Sequence, residues 1–253
     1  VTIVGILTPM MLGAIITTTN FELTAIIILI VSIIQIVISF FLKPTKYSNV
    51  KFTPFRSLKI LLRDKDIKNI IKLDFFKGMS ISDGALKILI TLLIINAFKT
   101  DLNLGIFSSI SSLLTIIFQY IYTKYYKNRN DKNVIVVCAV IPVVSLILLL
   151  ILNNNISLCL YYFCYSSLVG VLNFIIDIRL FNLSNIPLIK NDNQMEFWSL
   201  REFVLNSGRI ISYILLVVFA VNLEKYLNIL MLFLTFSIIL MGIFLSKIGI
   251  NDK

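Results

Sequence analysis

Residues 23–42 read LTAIIILIVSIIQIVISFFL, a run without a single charged side chain. An apolar helix needs about 20 residues to cross the hydrocarbon core of a bilayer, so this run predicts a membrane-spanning helix. The same rule finds seven further runs. The eight predicted spans are 1–19, 23–42, 75–98, 104–123, 134–152, 156–181, 200–222 and 226–247. The sequence therefore predicts an all-α, polytopic transmembrane helix bundle.

The composition of the whole chain agrees with this prediction. Hydrophobic residues make up 58% and charged residues 14%, and the mean hydropathy is +0.94. A soluble domain has about half apolar and about a quarter charged residues. The net charge of +10 comes from basic residues in short loops and not from one patch, so we expect contact with a lipid bilayer and no nucleic acid partner.

Neither a metal nor a cofactor is expected. The chain has no histidine, and its three cysteines lie in apolar runs without the paired spacing of metal ligands. The usual signatures of catalytic metal and phosphate sites are also missing from the sequence, so we do not expect an enzyme.

Lysine and arginine alternate between successive loops. The segment 43–74 and the loop 124–133 are rich in both, whereas the links after the first, third, fifth and seventh spans carry at most one lysine each. The positive-inside rule then predicts that both ends of the chain are cytoplasmic, in a cell (plasma) membrane. The abundance of isoleucine, asparagine and lysine suggests a bacterial source. Because the chain opens with Val1 inside an apolar run, we expect further residues upstream.

Segment 43–74 is longer than the other connections and divides the chain into three parts: 1–42, 43–74 and 75–253. Its apolar residues recur at helical spacing among basic ones, which predicts an amphipathic helix on the inner leaflet. The alternative is a solvated basic linker whose apolar residues pack on neighbouring loops. The apolar residues concerned are Phe55, Leu58, Leu61, Leu62, Ile67, Ile70 and Ile71.

Polar residues inside a membrane usually face a bundle interior or a water-filled cavity. The third span carries a polar face, and Lys87 would lie about 18 Å from its cytoplasmic start. Asp83 is four residues away and can pair with Lys87 on the same face. The residues that we assign to a transport pathway are Ser80, Asp83, Lys87 and Thr91 on this span, and Tyr162, Ser166, Asn173 and Asp177 on the sixth.

Further polar residues predict helix contacts. Arg179, at the end of the sixth span, is expected to snorkel to the inner surface. On the seventh span we predict gating or structural ion pairs from Arg201, Glu202 and Arg209. The serine and threonine face of the fourth span is more typical of close helix packing. From the third span on, polarity recurs every three helices, as two three-helix repeats around a cavity would produce.

Three local motifs add to this layout. They are Gly5, Pro9 and Gly13 in the first span, the basic loop 124–132, and the run Glu196, Arg201, Glu202, Leu205, Asn206, Gly208 and Arg209. The arrangement resembles the major facilitator superfamily of transporters from the fifth helix to the twelfth. In that resemblance, 1–42 is the end of the N-terminal bundle, 43–74 the loop between the halves and 75–253 the C-terminal six-helix bundle.

The resemblance implies a secondary active transporter that moves a small solute by alternating access, coupled in some members to a proton or other ion. Asp83 and Lys87 would contact the solute or carry the coupling proton. Two alternatives remain open. One is a membrane-embedded lipid-modifying enzyme, and the other is a truncated transporter that cannot transport.

Overall fold

The structure is a computed structural model that describes residues 11–12, 14–16, 18, 21–41, 59–81, 84–99, 101–125, 131–186, 189 and 193–248. These residues are almost entirely helical, and none of them forms a β-strand. The long helices are α1 (Phe21–Ser39), α2 (Lys65–Ser80), α3 (Ala85–Phe98), α4 (Asp101–Tyr125), α5 (Lys132–Leu152), α6 (Asn155–Ser184), α7 (Gln194–Ala220) and α8 (Leu223–Ser246).

Seven helical stretches of the described residues are long and apolar enough to cross a membrane. One of them joins α2 and α3, and the others are α1 and α4 to α8. The prediction of an all-α membrane bundle is confirmed. The count of eight spans stays a prediction, because most of the first span, 1–19, lies outside the described residues.

The helices from α2 onward run up and down between two ends. One end, called the basic end below, is where α2, α5 and α7 begin and α4, α6 and α8 finish. At the opposite end the chain turns tightly from α5 into α6. Asn153 ends α5 in the left-handed conformation (φ 45°), and Asn154 begins α6 with a reciprocal capping box to Ser157.

Helix α2 corrects the boundary predicted for the third span. The span was expected to begin at residue 75, but α2 begins at Lys65, where the Asp64 carboxylate accepts from the N–H groups of Asp66 and Ile67. Helix α2 therefore crosses the predicted limit between the linker and the six-helix bundle, and α3 begins only at Ala85. A straight helix over all of these residues would be about 50 Å long, more than a bilayer core requires.

The prediction that segment 43–74 forms a helix on the membrane surface is wrong for the residues of this segment that the structure describes. Ile67, Ile70 and Leu73 are almost completely buried, and α2 packs between α7 and α8. A helical apolar stripe has the same spacing whether it meets a membrane surface or another helix, so the sequence pattern could not separate the two. Residues 43–58 lie outside the described residues.

Glycines bring the helices of the bundle close together. At Gly78 of α2 an added Cβ would overlap the carbonyl oxygen of Leu205 in α7, and at Gly208 of α7 one would overlap the carbonyl oxygen of Phe75 in α2. The two backbones therefore touch where these helices cross, as small residues permit in membrane proteins. The rest of the core is formed by α5 against α6 and α8, and by α4 against α6.

Candidate functional site

Lys87 lies in the first turn of α3, and its side chain is exposed. It faces a cavity of 310 Å³. Among the described residues, the lining consists of Gly84, Lys87, Ile88, Thr91, Leu92 and Tyr213. The site therefore combines one cation, two hydroxyl groups and apolar walls from α3 and α7.

The start of α3 contacts both α7 and α2. The backbone N–H of Ala85 donates to Ser212 Oγ of α7 at 3.2 Å. At Gly84, an added Cβ would lie 2.6 Å from the carbonyl oxygen of Met79 in α2, so no larger residue fits without a backbone shift. The contact with Ser212 links the first turn of α3, which carries Lys87, to α7.

The exposure of Lys87 is informative because of the position of this residue along the predicted span. Eleven residues separate Lys87 from Phe98, the last residue of α3, which corresponds to about 17 Å of helix. This is close to half of a bilayer core of about 30 Å. A lysine at that depth costs about 3 kcal/mol or more if it faces lipid. In a bilayer whose boundary lies at Phe98, contact with water or protein would accommodate this ammonium group at a lower cost than contact with lipid.

Tyr162 of α6 joins this region. Its hydroxyl interacts with Ser108 and Ser111 of α4, and the Lys87 ammonium is close enough to Tyr162 for an electrostatic interaction. The Thr91 hydroxyl donates to the carbonyl oxygen of Lys87 at 2.9 Å. Of the residues predicted for the pathway, Lys87 and Thr91 therefore line one cavity, and Tyr162 lies within electrostatic range of Lys87.

The other predicted pathway residues have different surroundings. Ser80 is fully buried, and its hydroxyl donates to the carbonyl oxygen of Phe76. The Tyr165 hydroxyl donates to the Ser80 carbonyl oxygen at 2.6 Å, so Ser80 forms part of the contact between α2 and α6. Ser80 is not among the described residues that line the Lys87 cavity, and its assignment to the pathway stays a prediction. Asp83, the predicted partner of Lys87, lies outside the described residues.

Three of the predicted polar residues of α6 lie nearer the basic end than Tyr162. Ser166 is half-buried, and the buried Oδ1 of Asn173 accepts no hydrogen bond from any described residue. Asp177 is exposed, and its carboxylate lies 3.8 Å from the Lys77 ammonium of α2. The two side chains of this pair differ in exposure: that of Lys77 is 12% exposed and that of Asp177 is 69% exposed.

A fully buried ion pair joins α2 to α7. Arg201 donates from Nε and Nη2 to both carboxylate oxygens of Asp74, at 2.7 and 3.0 Å. Its guanidinium also lies 4.8 Å from the centre of the Trp198 ring. Arg201 was predicted to form an ion pair, but Asp74 was missed because it had been assigned to the linker. The other two residues for which ion pairs were predicted have different surroundings from Arg201. Glu202 is exposed, and Arg209 donates a hydrogen bond to Asn206 at 3.0 Å.

A second buried cluster surrounds Arg179. The guanidinium donates to Asp131 at 2.6 Å and to the carbonyl oxygens of Leu245 and Ile248 at the end of α8. The Tyr122 hydroxyl donates to the same carboxylate at 3.0 Å. The expectation that Arg179 snorkels to the surface is wrong, because its side chain is 7% exposed and enclosed by α4, α5 and α8.

Two arrangements of charge in the described bundle can therefore be compared. At the basic end, Asp74 and Asp131 each meet an arginine in a buried, hydrogen-bonded pair. Nearer the middle, Lys87 faces an open cavity beside hydroxyl groups. Comparisons of the chain with profiles of known protein families, with curated proteins and with solved structures find no match.

Proposed function

We propose that this chain is part of a secondary active transporter, which moves a small solute through a water-filled pathway along α3, α6 and α7. The observation that carries the proposal is the exposed Lys87 at mid-span, lining a cavity with Thr91 and Tyr213.

In this proposal the chain works by alternating access, the mechanism that its resemblance to the major facilitator superfamily implies. Its basic end faces the cytoplasm of a cell membrane, because lysine and arginine are concentrated there. A coupling proton or other ion is part of the same proposal. Its first candidates are the exposed carboxylates Asp177 and Glu202, which lie between the cavity and the basic end.

The test is the accessibility of Thr91→Cys to a membrane-impermeant thiol reagent. The full-length protein would first lose its own cysteines, Cys138, Cys159 and Cys164, to alanine. Labelling is then measured in sealed vesicles of both orientations. Alternating access predicts modification from either side, because the same cavity opens in turn to each.

Two matched positions control for depth and exposure. Leu113→Cys lies about 18 Å from either end of α4, on an apolar stripe with Ile110 and Ile117 that is exposed in the described structure. We expect no labelling there, because lipid covers that stripe. Leu89→Cys is fully buried on α3 and should also stay unlabelled. Labelling of position 91 from one side only, or from neither, would contradict alternating access.

A further inference from the structure

We infer that the seam between α2 and α8 at the basic end binds the phosphate of an anionic phospholipid. The seam consists of Lys72 and Phe76 of α2, Phe244 of α8, and Lys247, which directly follows the last residue of α8. The inference goes beyond the proposed function, because a lipid bound at this seam is a partner of the protein and not its solute.

Two ammonium groups meet at one aromatic ring of the seam. The Lys72 ammonium lies 5.5 Å from the centre of the Phe244 ring, and the Lys247 ammonium lies 5.6 Å from the same centre. The Phe76 ring stacks on Phe244, with 5.9 Å between the ring centres and 9° between the planes. Both lysines are exposed. An anion that contacts both ammonium groups is attracted by both and reduces their mutual repulsion.

The packing of α2 on α8 holds the two lysines in place. The contact between these helices is among the most extensive in the described bundle. Leu73, next to Lys72, and Leu245, two residues before Lys247, are both completely buried. The backbone beside each lysine is therefore anchored in the core, and only the side chains need to move when a ligand binds. Such a site loses little freedom on binding.

The two lysines lie at the level expected for lipid headgroups. Lys247 directly follows the apolar stretch Tyr226–Ser246, which is long enough to cross a membrane. Phe244 lies about one turn deeper than Lys247, and Phe76 lies one turn deeper than Lys72. Aromatic rings at a membrane boundary, with lysine ammonium groups just outside them, are typical of the interface with water. A phosphate beside the lysines would place its acyl chains along the two rings.

The charge balance of the surrounding sequence favours an anion, whichever side chains pair with one another. Segment 43–74 has nine basic and three acidic residues, and the tail 247–253 has two basic and one acidic. Asp74, one of these acidic residues, is buried against Arg201. Lys68 adds an exposed ammonium one helical turn farther out than the seam. The carboxylates are too few to neutralise this surface, so an anionic lipid is still attracted to it.

Two phospholipids with the same acyl chains test the sign of the charge. Phosphatidylglycerol is anionic, whereas phosphatidylcholine has no net charge. Each is titrated into the full-length protein in dodecyl maltoside, and the lipids bound to each protein molecule are counted by native mass spectrometry. We expect phosphatidylglycerol to bind about fivefold or more tightly at its first site. Equal affinities for the two lipids would overturn the inference.

Paired substitutions then assign the binding to the seam. Lys72→Gln with Lys247→Gln should weaken phosphatidylglycerol by about tenfold, whereas arginine at both positions should preserve its binding. Lys124→Gln with Lys132→Gln is the matched control. It removes two exposed lysines from the same end of the bundle, and Lys124 also lies 5.5 Å from the centre of an aromatic ring, that of Tyr125. We expect this control to change the affinity by less than about twofold. Equal losses for the two pairs would indicate diffuse attraction by the basic end and would overturn the inference.

A soluble competitor separates a membrane lipid from a free phosphate compound. Glycerol 3-phosphate carries the same phosphate without acyl chains, so it cannot contact the rings of Phe76 and Phe244 in the same way. We expect it to displace bound phosphatidylglycerol at least about a hundredfold more weakly than unlabelled phosphatidylglycerol does. Displacement by both at similar concentrations would show that the seam takes a soluble phosphate and would overturn its assignment to a lipid.

Discussion

The basic end of the bundle and the Lys87 cavity use the same kinds of residue in opposite ways. At the basic end, the Asp74–Arg201 and Asp131–Arg179 pairs are at most 7% exposed, and their shortest contacts are 2.6 to 2.7 Å. In the cavity, Lys87 is exposed beside hydroxyl groups. Since the helices of both regions belong to stretches that are long and apolar enough to cross a membrane, hydrophobicity alone does not distinguish them.

The surroundings of each charge explain the difference. A buried charge is tolerated mainly where a partner of opposite charge is hydrogen-bonded to it, and such a pair then holds its helices in one arrangement. An exposed charge on a membrane-spanning stretch is tolerated where it faces the interior of the bundle or a water-filled cavity. We therefore interpret the basic end as a set of fixed cross-links and the cavity as the part of the bundle that a solute can reach.

The largest loss of stability is expected from a substitution at the crossing of α2 and α7, near the basic end. Gly78→Leu places a side chain against the backbone of Leu205, which cannot yield as a flexible side chain would. We expect the free energy of unfolding, measured by titration with sodium dodecyl sulfate in mixed micelles, to fall by more than about 4 kcal/mol. Gly170→Leu is the matched control, because the atoms that an added Cβ meets there belong to the Thr115 side chain. An equal loss for both would contradict the close backbone crossing.

Breaking the Asp74–Arg201 pair should have the next largest effect. Asp74→Leu leaves the Arg201 guanidinium buried without its carboxylate, and the expected loss is about 3 to 5 kcal/mol in the same titration. The double variant Asp74→Leu with Arg201→Met should recover most of that loss, because no charge then remains buried. Glu202→Gln, next to Arg201 but exposed, should change stability by less than about 0.5 kcal/mol. A double variant no better than Asp74→Leu alone would show that the pair does not account for the loss.

Removing one hydrogen bond from the Arg179 cluster should have a moderate effect. Tyr122→Phe deletes only the hydroxyl that donates to Asp131. The Arg179–Asp131 contact remains, so the expected loss of stability is about 1 to 2 kcal/mol. Tyr125→Phe, on an exposed side chain of the same helix, serves as the comparison and should be close to neutral. A neutral Tyr122→Phe would mean that the hydroxyl contributes nothing to the buried cluster.

The smallest effect is expected at the Lys77–Asp177 pair. Because Asp177 is 69% exposed, water can replace the contact, and Asp177→Asn should cost less than about 1 kcal/mol. Raising the salt concentration should reduce that difference further. A loss as large as that of Asp74→Leu would show that this exposed pair stabilises the bundle as much as the buried pairs do, which would contradict the expected difference between them.

Sequence patterns predicted the helices well because a membrane span requires about 20 apolar residues in any fold. The same patterns misplaced the start of α2. The first residues of α2 are basic and polar on one side, as in a loop. They were therefore predicted to belong to the linker, and Asp74 was included with them. The buried partners of Arg179 and Arg201 could not be predicted, since which helices touch is a property of the packed bundle.

The candidate site was predicted in part. The period of the polar residues on the third span indicated Lys87 and Thr91, which line one cavity. The period on the sixth span indicated Tyr162, which lies within electrostatic range of Lys87. Tyr213 adds a hydroxyl from α7 to the lining. The same pattern on the third span included Ser80, which is buried in the contact with Tyr165. A pattern along one helix does not show which of its residues another helix covers.

The most direct test of a hydrated cavity at mid-span needs no substitution. Full-length protein in sealed vesicles is treated with a water-soluble, membrane-impermeant amine-acylating ester, and modified lysines are identified by mass spectrometry. The account predicts acylation of Lys87 together with the exposed Lys99, while the largely buried Lys77 stays unmodified. Lys87 left unmodified in vesicles of both orientations, with Lys99 fully modified, would contradict a water-filled cavity along α3.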